Sequence, residues 1–296
     1  MESKRTSYWV AAAGVAVALL LVLGHPVGQS EPVDQLSALW RRTFQYILFA
    51  VVAFGIFWVA LDRLMAGRRL SRTRWPKTRQ VLSEAVFSSV TNMFAVAIGL
   101  WLGTWLFSDW LIPNLYRDIG EYGWGYYAIC VLGIFLIHDT AFYWSHRLMH
   151  WQPLFDRLHK THHESRDPTP FTTFHFHPAE AVVEVLAAWA IVIPMAFLPW
   201  HISLLPVWFF GMLIFNTLGH LGYEIYPRWW HRIPILRMKT TCTHHYLHHQ
   251  LVGGNYALYF RFWDKICGTE FPDYEARFDH NLARKSEKET GKPAKN

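Results

Sequence analysis

Apolar residues in this chain gather into a few long runs separated by short polar and basic segments. The first runs from Tyr8 to Gly24, the second from Tyr46 to Leu61, the third from Ala85 to about Phe107 and the fourth from Tyr126 to Trp144. An α-helix rises about 1.5 Å per residue, so roughly 20 apolar residues cross a hydrocarbon layer about 30 Å thick. Each run is read as a membrane-crossing helix. The first has no A-x-A cleavage site after it and is read as an uncleaved anchor rather than a signal-peptide core. A further apolar region, from about Val182 to Leu221, is too long for one crossing and is broken by Pro194, Pro199 and Pro206. It predicts a hairpin of two helices. Residues 281–296 are rich in Lys and Glu without an apolar period and are expected to be disordered. The pattern predicts an all-α integral membrane protein. Anchor helices and a basic loop occupy residues 1–80, the main membrane domain 81–280, and the charged tail 281–296.

Charge gives this layout a direction. The 296 residues carry 28 Lys and Arg against 22 Asp and Glu, a formal net charge of +6. The basic residues lie in short blocks beside apolar runs, most densely from Arg63 to Arg79, so they read as topology signals and not as a nucleic-acid surface. If that block is cytoplasmic, the third run leads out, the fourth returns, and the hairpin leaves and returns. The end of the fourth run with His138 and His146, the end of the hairpin with His220, and His244 to His249 then share the cytoplasmic side. The three cysteines, Cys130, Cys242 and Cys267, form no C-x-x-C pair and no disulfide framework. Cys242 is read as a buried thiol, with metal ligation as its alternative.

Seventeen histidines lie in this sequence, many of them clustered. His146 and His150 are four apart. His159, His162 and His163 form H-x-x-H-H, and His245, His248 and His249 repeat it. Residues three and four apart share one face of a helix, so each cluster can aim its imidazoles at one point. The solitary His25, His201, His231 and His280 are read as hydrogen-bonded core or interface residues. That reading fails for the clusters, because several imidazoles beside a bilayer need compensation, which a metal supplies. An adventitious His-rich tract would be of low complexity, whereas these clusters sit in aromatic and apolar sequence with differing spacers.

The ordered motifs resemble the fatty acid hydroxylase and sterol desaturase superfamily of membrane di-iron oxygenases. Asp139, Tyr143, Trp144, His146, Arg147 and His150 match D-x-x-x-Y-W-x-H-R-x-x-H. His159, His162 and His163 match the first H-x-x-H-H, and His177, Pro178 and Glu180 match H-P-x-E. Asn216 and His220 stand where the family has an intermediate histidine. His245, His248 and His249 are followed by Asn255-Tyr256 and by Trp263, Asp264, Gly268 and Thr269. The likeness covers roughly Asp139 to Glu270. It implies a catalytic membrane domain whose cytosolic helical cap holds a His-rich dimetal site. The implied ligands are His146, His150, His159, His162, His163, His177, His220, His245, His248 and His249, with hydrogen bonding behind the ligands as the alternative for His177. Asp139, Glu180 and Asn255 are expected to support the ligands, Asp139 and Glu180 by accepting the second imidazole N–H, as Glu164 and Glu184 also could. His138 and His244 flank the motifs. His138 is read as a support and His175 as non-ligating. Arg147 pairs with an acid or faces lipid headgroups, and Phe142, Tyr143 and Trp144 line a lipid entry or form an interfacial belt.

Imidazole suits zinc, iron, copper and nickel alike, and it is the resemblance that selects two iron ions. It also implies O2 as co-substrate, a membrane lipid as substrate, and either hydroxylation or desaturation, since both begin with abstraction of the same hydrogen. The lipid classes that fit are a sterol, a fatty acyl chain, a sphingoid base, an ether lipid or a carotenoid. No dinucleotide fingerprint or haem domain is evident, so an external donor is implied, a ferredoxin or a b-type cytochrome with its reductase. The Arg63–Arg79 block either docks such a carrier or sets topology against lipid headgroups. Nothing in the pattern fixes an oligomeric state. Two readings compete. One is a zinc-dependent membrane hydrolase with Glu164 as general base. The other is a non-catalytic metal binder or transporter, which the near-absence of ionisable residues from the runs 8–24, 46–61 and 85–107 disfavours.

Overall fold

The computed structural model describes residues 32–106 and 111–280. The expected first anchor, Tyr8 to Gly24, and the charged tail, 281–296, lie outside the described residues, as does His25. The described chain is mostly helical. Helix α1 spans Pro32–Phe54 and continues as a π-helical segment, Gly55–Ala60. Helix α2 spans Thr78–Leu106 and α3 spans Gly123–Met149. Within them, Ser37–Ala60, Thr78–Gly103 and Gly123–Met149 are long and apolar enough to cross a membrane. Their outer faces carry exposed Val51, Val59, Val86, Trp124, Ile129 and Leu132. So much apolar surface on long helices is what a lipid environment accommodates and water does not.

All three helices overrun the apolar runs that predict them. α1 takes in Arg41 and Arg42. The Arg42 guanidinium lies over the Phe209 ring at 4.3 Å, so its stem stays on apolar surface while the charge reaches outward. α3 passes through Trp144 to Met149, so His146 sits in its last turn and His150 caps it. The helix does not stop where hydrophobicity stops, because good formers such as Arg147, Leu148 and Met149 follow.

The apolar region after Val182 forms the expected hairpin, with short arms. α5 spans Pro178–Trp189 and α6 spans Leu204–Gly219, 12 and 16 residues. These are about 18 and 24 Å long, less than a bilayer core. Its tip is pinned to the segment before α3. Strand β1 (Leu115–Tyr116) pairs in parallel with β2 (Trp200–His201), and Tyr126 Oη donates to the Pro199 carbonyl at 2.8 Å. The other end of the bundle carries α4 (Lys160–His163), α7 (Cys242–Leu251) and α8 (Phe262–Ile266).

The basic loop is tied to that same end. Arg69 and Arg74 pair with buried Asp62, and Arg68 donates to the carbonyls of Glu224, Ile225 and Tyr226. Asp167 accepts from Ser71, Thr73 and the Arg72 N–H. Part of a block that reads as a solvated signal therefore holds the cap together, while Arg63, Arg72, Lys77 and Arg79 stay exposed.

Candidate metal centre

Helical spacing and chain turns bring nine imidazoles into two adjacent groups. His146, His150, His159, His163 and His248 form one, and His162, His220, His245 and His249 form the other. Within each group the ligand atoms lie within 4.8 Å of one another. The distribution follows from the helix period. In each H-x-x-H-H the first and last histidines, four apart, stay in one group, and the histidine three along turns into the other. The i, i+4 pair His146 and His150 likewise stays together. The groups abut: the His163 and His249 ring centroids are 5.0 Å apart, and those of His159 and His162 5.2 Å.

Hydrogen bonds behind the rings fix which nitrogen faces inward. His146 Nδ1 donates to the Tyr256 carbonyl at 2.8 Å, His220 Nδ1 to Asn216 at 2.8 Å, and His248 Nδ1 to Gly254 at 2.7 Å. A carbonyl only accepts, so each Nδ1 carries the proton and each neutral ring presents a bare Nε2. His159 Nδ1 meets the Glu180 carboxylate at 2.6 Å, with Glu180 fully buried. The Nε2 atoms then crowd: His146 to His159 is 2.9 Å, His159 to His163 3.1 Å, His245 to His249 3.1 Å and His220 to His245 3.3 Å. Facing lone pairs at that range repel unless a cation lies between them. Nitrogens about 2.1 Å from a shared ion stand about 3.0 Å apart at a right angle and about 3.4 Å apart at a tetrahedral angle. The observed spacings and the five imidazoles of the first group fit an ion with more than four ligands better than a closed tetrahedral zinc site.

Burial keeps the rings neutral and therefore ready to ligate. It pushes the pKa of His163 down to about 3 and that of His220 to about 4. His150, His159, His162, His245, His248 and His249 are also lowered, first by burial and then by neighbouring imidazoles. The Nε2 atoms of His150 and His248 are buried without any hydrogen-bond partner.

The remaining predicted residues lie outside the two groups. His177 caps α5, its Nδ1 accepting the Ala179 N–H at 3.2 Å. Asp139 accepts the backbone N–H groups of Leu258, Tyr259 and Phe260, where an imidazole was expected. It thus ties α3 to the segment after α7. Asn255, at φ +57°, donates to the His244 carbonyl and accepts the Phe271 N–H, bracing the end of α7. His138 Nδ1 meets Tyr259 Oη at 2.8 Å and Trp208 Nε1 at 3.0 Å, a knot between α3 and α6. His244 faces Asp264 on the far side of α7. Cys242 packs with Trp58, Leu221 and Tyr223. Arg147 pairs with the Tyr143 hydroxyl at 3.3 Å, not with an acid. Phe142 and Tyr143 are buried and only Trp144 is exposed. Glu164, the base that a hydrolase would need, is exposed on the surface.

Three contributors have no signal in the sequence. The carbonyls of Tyr256, Gly254 and Asn216 orient ligands, and any residue has a carbonyl. Asp264 is more legible, since it accepts the Tyr256 and Ala257 N–H groups and so holds the carbonyl that His146 uses. Gly219 leaves room for a ring: a Cβ there would lie 3.1 Å from His245 Cδ2.

A sequence model of the fatty acid hydroxylase family matches residues 131–269, the span that holds every one of these imidazoles. Methylsterol monooxygenase 1 of Rattus norvegicus is 31% identical over 215 residues, covering 72% of this chain and 70% of its own. The chain belongs to the fatty acid hydroxylase and sterol desaturase superfamily. Within this superfamily, lathosterol oxidase of Mus musculus is 30% identical over 190 residues, covering 62% of this chain and 60% of its own. A Δ7-sterol 5(6)-desaturase of Gibberella zeae is 32% identical over 155 residues, 52% of this chain and 46% of its own. The chain thus spans less than two thirds of the length of some of these relatives. No solved structure matches it.

Proposed function

We propose that this chain is an O2-dependent di-iron oxidoreductase that hydroxylates or desaturates a C–H bond of a membrane lipid, with a sterol as the first class to test. The observation that carries the proposal is the pair of abutting all-imidazole groups at one end of apolar helices. The family and the sterol-named relatives support the substrate class. Two irons held there would supply O2 activation toward an unactivated C–H bond.

The protein's own part is positional. His146, His150, His159, His163 and His248 hold one ion, and His162, His220, His245 and His249 the other. His177 is left to cap α5. Glu180 and the carbonyls of Tyr256, Gly254 and Asn216 keep the inward Nε2 of His159, His146, His248 and His220 unprotonated. Asp139 and Asn255 brace the two ends of the cap. Burial excludes bulk water, which protects a reactive oxidant from side reactions. Electrons come from a separate carrier, a ferredoxin or a b-type cytochrome with its reductase, and the exposed Arg63, Arg72, Lys77 and Arg79 suit an acidic docking face. In this reading the catalytic end lies on the cytoplasmic side, which the positive-inside bias of the basic loop beside it supports. The domain limits 1–80, 81–280 and 281–296 belong to this same reading.

The test is metal and product together. Purified protein should hold two irons per chain and oxidise a lipid only with O2 and a reductant. His162→Ala should abolish product while the protein still inserts into membranes. Zinc-dependent activity without O2, or a fully active His162→Ala variant, would overturn the proposal.

A further inference from the structure

Beside the five-histidine group, aromatic side chains form a continuous ladder to the surface. The Tyr256 ring lies 4.8 Å from that of His150 and 5.8 Å from those of His146 and His248, centroid to centroid. Tyr143 follows at 6.3 Å from Tyr256, and Trp263 stacks on Tyr143 at 5.9 Å with the planes 18° apart. Trp144 lies 5.3 Å from Tyr143 and 5.4 Å from Trp263, and it is exposed. Rings at these centroid distances touch. An electron tunnels far more readily between touching rings than across saturated side chains, and tyrosine and tryptophan are the aromatic side chains that part with an electron most easily.

Tyr143 also has somewhere to put a proton. Asp264 is fully buried. Burial pushes its pKa up, but the His244 imidazole, the Ala257 N–H and the Thr269 hydroxyl outweigh this and leave it an ionised acceptor. Thr269 Oγ1 therefore donates to Asp264, at 2.8 Å. With its one proton directed there, Thr269 can only accept from the Tyr143 hydroxyl, 2.9 Å away. Arg147 donates to the same phenol oxygen at 3.3 Å. The Tyr143 proton thus points along a chain of two hydrogen bonds to a buried carboxylate. Tyr46 and Tyr126 give the contrast: their hydroxyls donate to the carbonyls of Phe171 and Pro199, which cannot take up a proton near neutral pH.

A tyrosine oxidises cleanly only when its electron and its proton both have an exit, because the protonated radical is a very strong acid. Tyr143 has both: rings toward the imidazoles for the electron, and Thr269 and Asp264 for the proton. The need is equally plain. A centre that activates O2 with no lipid in place keeps its oxidising power with no C–H bond to spend it on, and the imidazoles around it are the nearest targets for such side reactions.

We propose that Tyr143 is a redox-active tyrosine that gives one electron to the metal centre through Tyr256 when no lipid is bound, and that Trp263 and Trp144 bring the replacement electron in from a one-electron reductant at the surface. The proposal rests on the reading of this chain as an O2-dependent oxygenase. In the outward step Tyr143 loses one electron, its hydroxyl proton passes to Thr269, and the Thr269 proton passes to Asp264. The products are a neutral phenoxyl radical, a protonated Asp264 and a metal centre reduced by one electron. In the return step the reductant is oxidised by one electron, which reaches Tyr143 by way of Trp144 and Trp263, and the proton comes back from Asp264 through Thr269.

The test is freeze-quench electron paramagnetic resonance on the full chain in dodecyl maltoside micelles, loaded with iron, reduced, and mixed with O2 without lipid substrate. A tyrosyl radical should appear, and its spectrum should narrow when the chain carries ring-deuterated tyrosine. Tyr143→Phe keeps the ring and should remove the signal while metal content stays native. Thr269→Val cuts the route of the proton and should delay the radical. Trp144→Leu should let it form but prolong its life, because the replacement electron arrives more slowly. Iron oxidised by O2 with no tyrosyl radical in the native chain would overturn the proposal, and that observation needs no variant. A radical unchanged in Tyr143→Phe would overturn it too. A radical without lipid product once a sterol is added would sink the lipid oxygenase reading and leave Tyr143 standing. If O2 oxidises no bound iron at all, that reading falls, and the chelated chain decides the rest. Oxidised there by flash-generated ruthenium(III) tris-bipyridine, it should give less tyrosyl radical in Tyr143→Phe and in Trp144→Leu than in the native chain, and an equal yield in all three would overturn the proposal.

Discussion

Replacing Glu180 isolates what a group behind the ligands does for the metal centre. Its carboxylate lies 2.6 Å from His159 Nδ1, and both residues are almost fully buried. Glu180→Ala leaves the His159 N–H without an acceptor and frees the ring to place its proton on Nε2, where it could not ligate. An unpaired buried donor costs about 1–3 kcal/mol. Loss of a group that orients a ligand typically weakens metal binding about 10–100-fold, or about 1.4–2.8 kcal/mol. The two ranges overlap, so a loss of about 30-fold is expected. Glu180→Gln keeps an acceptor oxygen but not its charge, and charged hydrogen bonds are roughly twice as strong as neutral ones. Its loss should fall between about 3- and 10-fold. The assay is metal retained per chain against a graded chelator series, with His177→Ala as control, because His177 touches neither group and should shift the curve less than about threefold. A Glu180→Ala protein that holds metal as well as the native chain would refute the tautomer argument, and so would a His177→Ala protein that loses as much.

Other substitutions separate the remaining contributions. His220→Ala should empty the four-histidine group and spare the five-histidine group, so metal content should fall by about one ion per chain; equal loss from both would refute two distinct groups. Asp264 is pulled upward by burial, but the His244 imidazole, the Ala257 N–H and the Thr269 hydroxyl outweigh this and hold it below its ordinary 3.8. Its folded pKa is depressed, so its stabilisation is present above the unfolded value and is lost as pH falls through the folded one. Asp264→Asn should therefore lower thermal stability at pH 7 and flatten its decline below pH 4, measured as Tm against pH. Arg261 is fully buried between Glu270 and Glu275. Arg261→Met should cost about 3 kcal/mol in denaturant unfolding, the low end for a broken buried pair because both acids are partly exposed.

The helices of the bundle were legible because each needs a long apolar run and leaves one in the sequence. The two H-x-x-H-H motifs were legible as single-centre devices for the same kind of reason: a period of 3.6 residues dictates which rings share a face. That same period also contains the division of each motif between two groups. It became visible only when α4 and α7 were set against each other, with His163 beside His248 and His162 beside His249. Asp139 and His177 were harder to place. Each stands in a motif beside true cluster residues, and only packing decided that one clamps backbone N–H groups and the other caps a helix.

By itself the sequence determined the order of the apolar helices among the described residues, the imidazoles that gather as candidate ligands and the single end of the bundle where they meet. Tertiary structure decided how nine imidazoles divide between two groups, which nitrogen of His146, His159, His220 and His248 faces inward, and which acid supports a ring. The reason is physical. Hydrophobicity and helical period are properties of the local chain, whereas a ring's tautomer is set by whatever oxygen lies behind it. Here those oxygens are mostly backbone carbonyls brought near from 4 to 110 residues away.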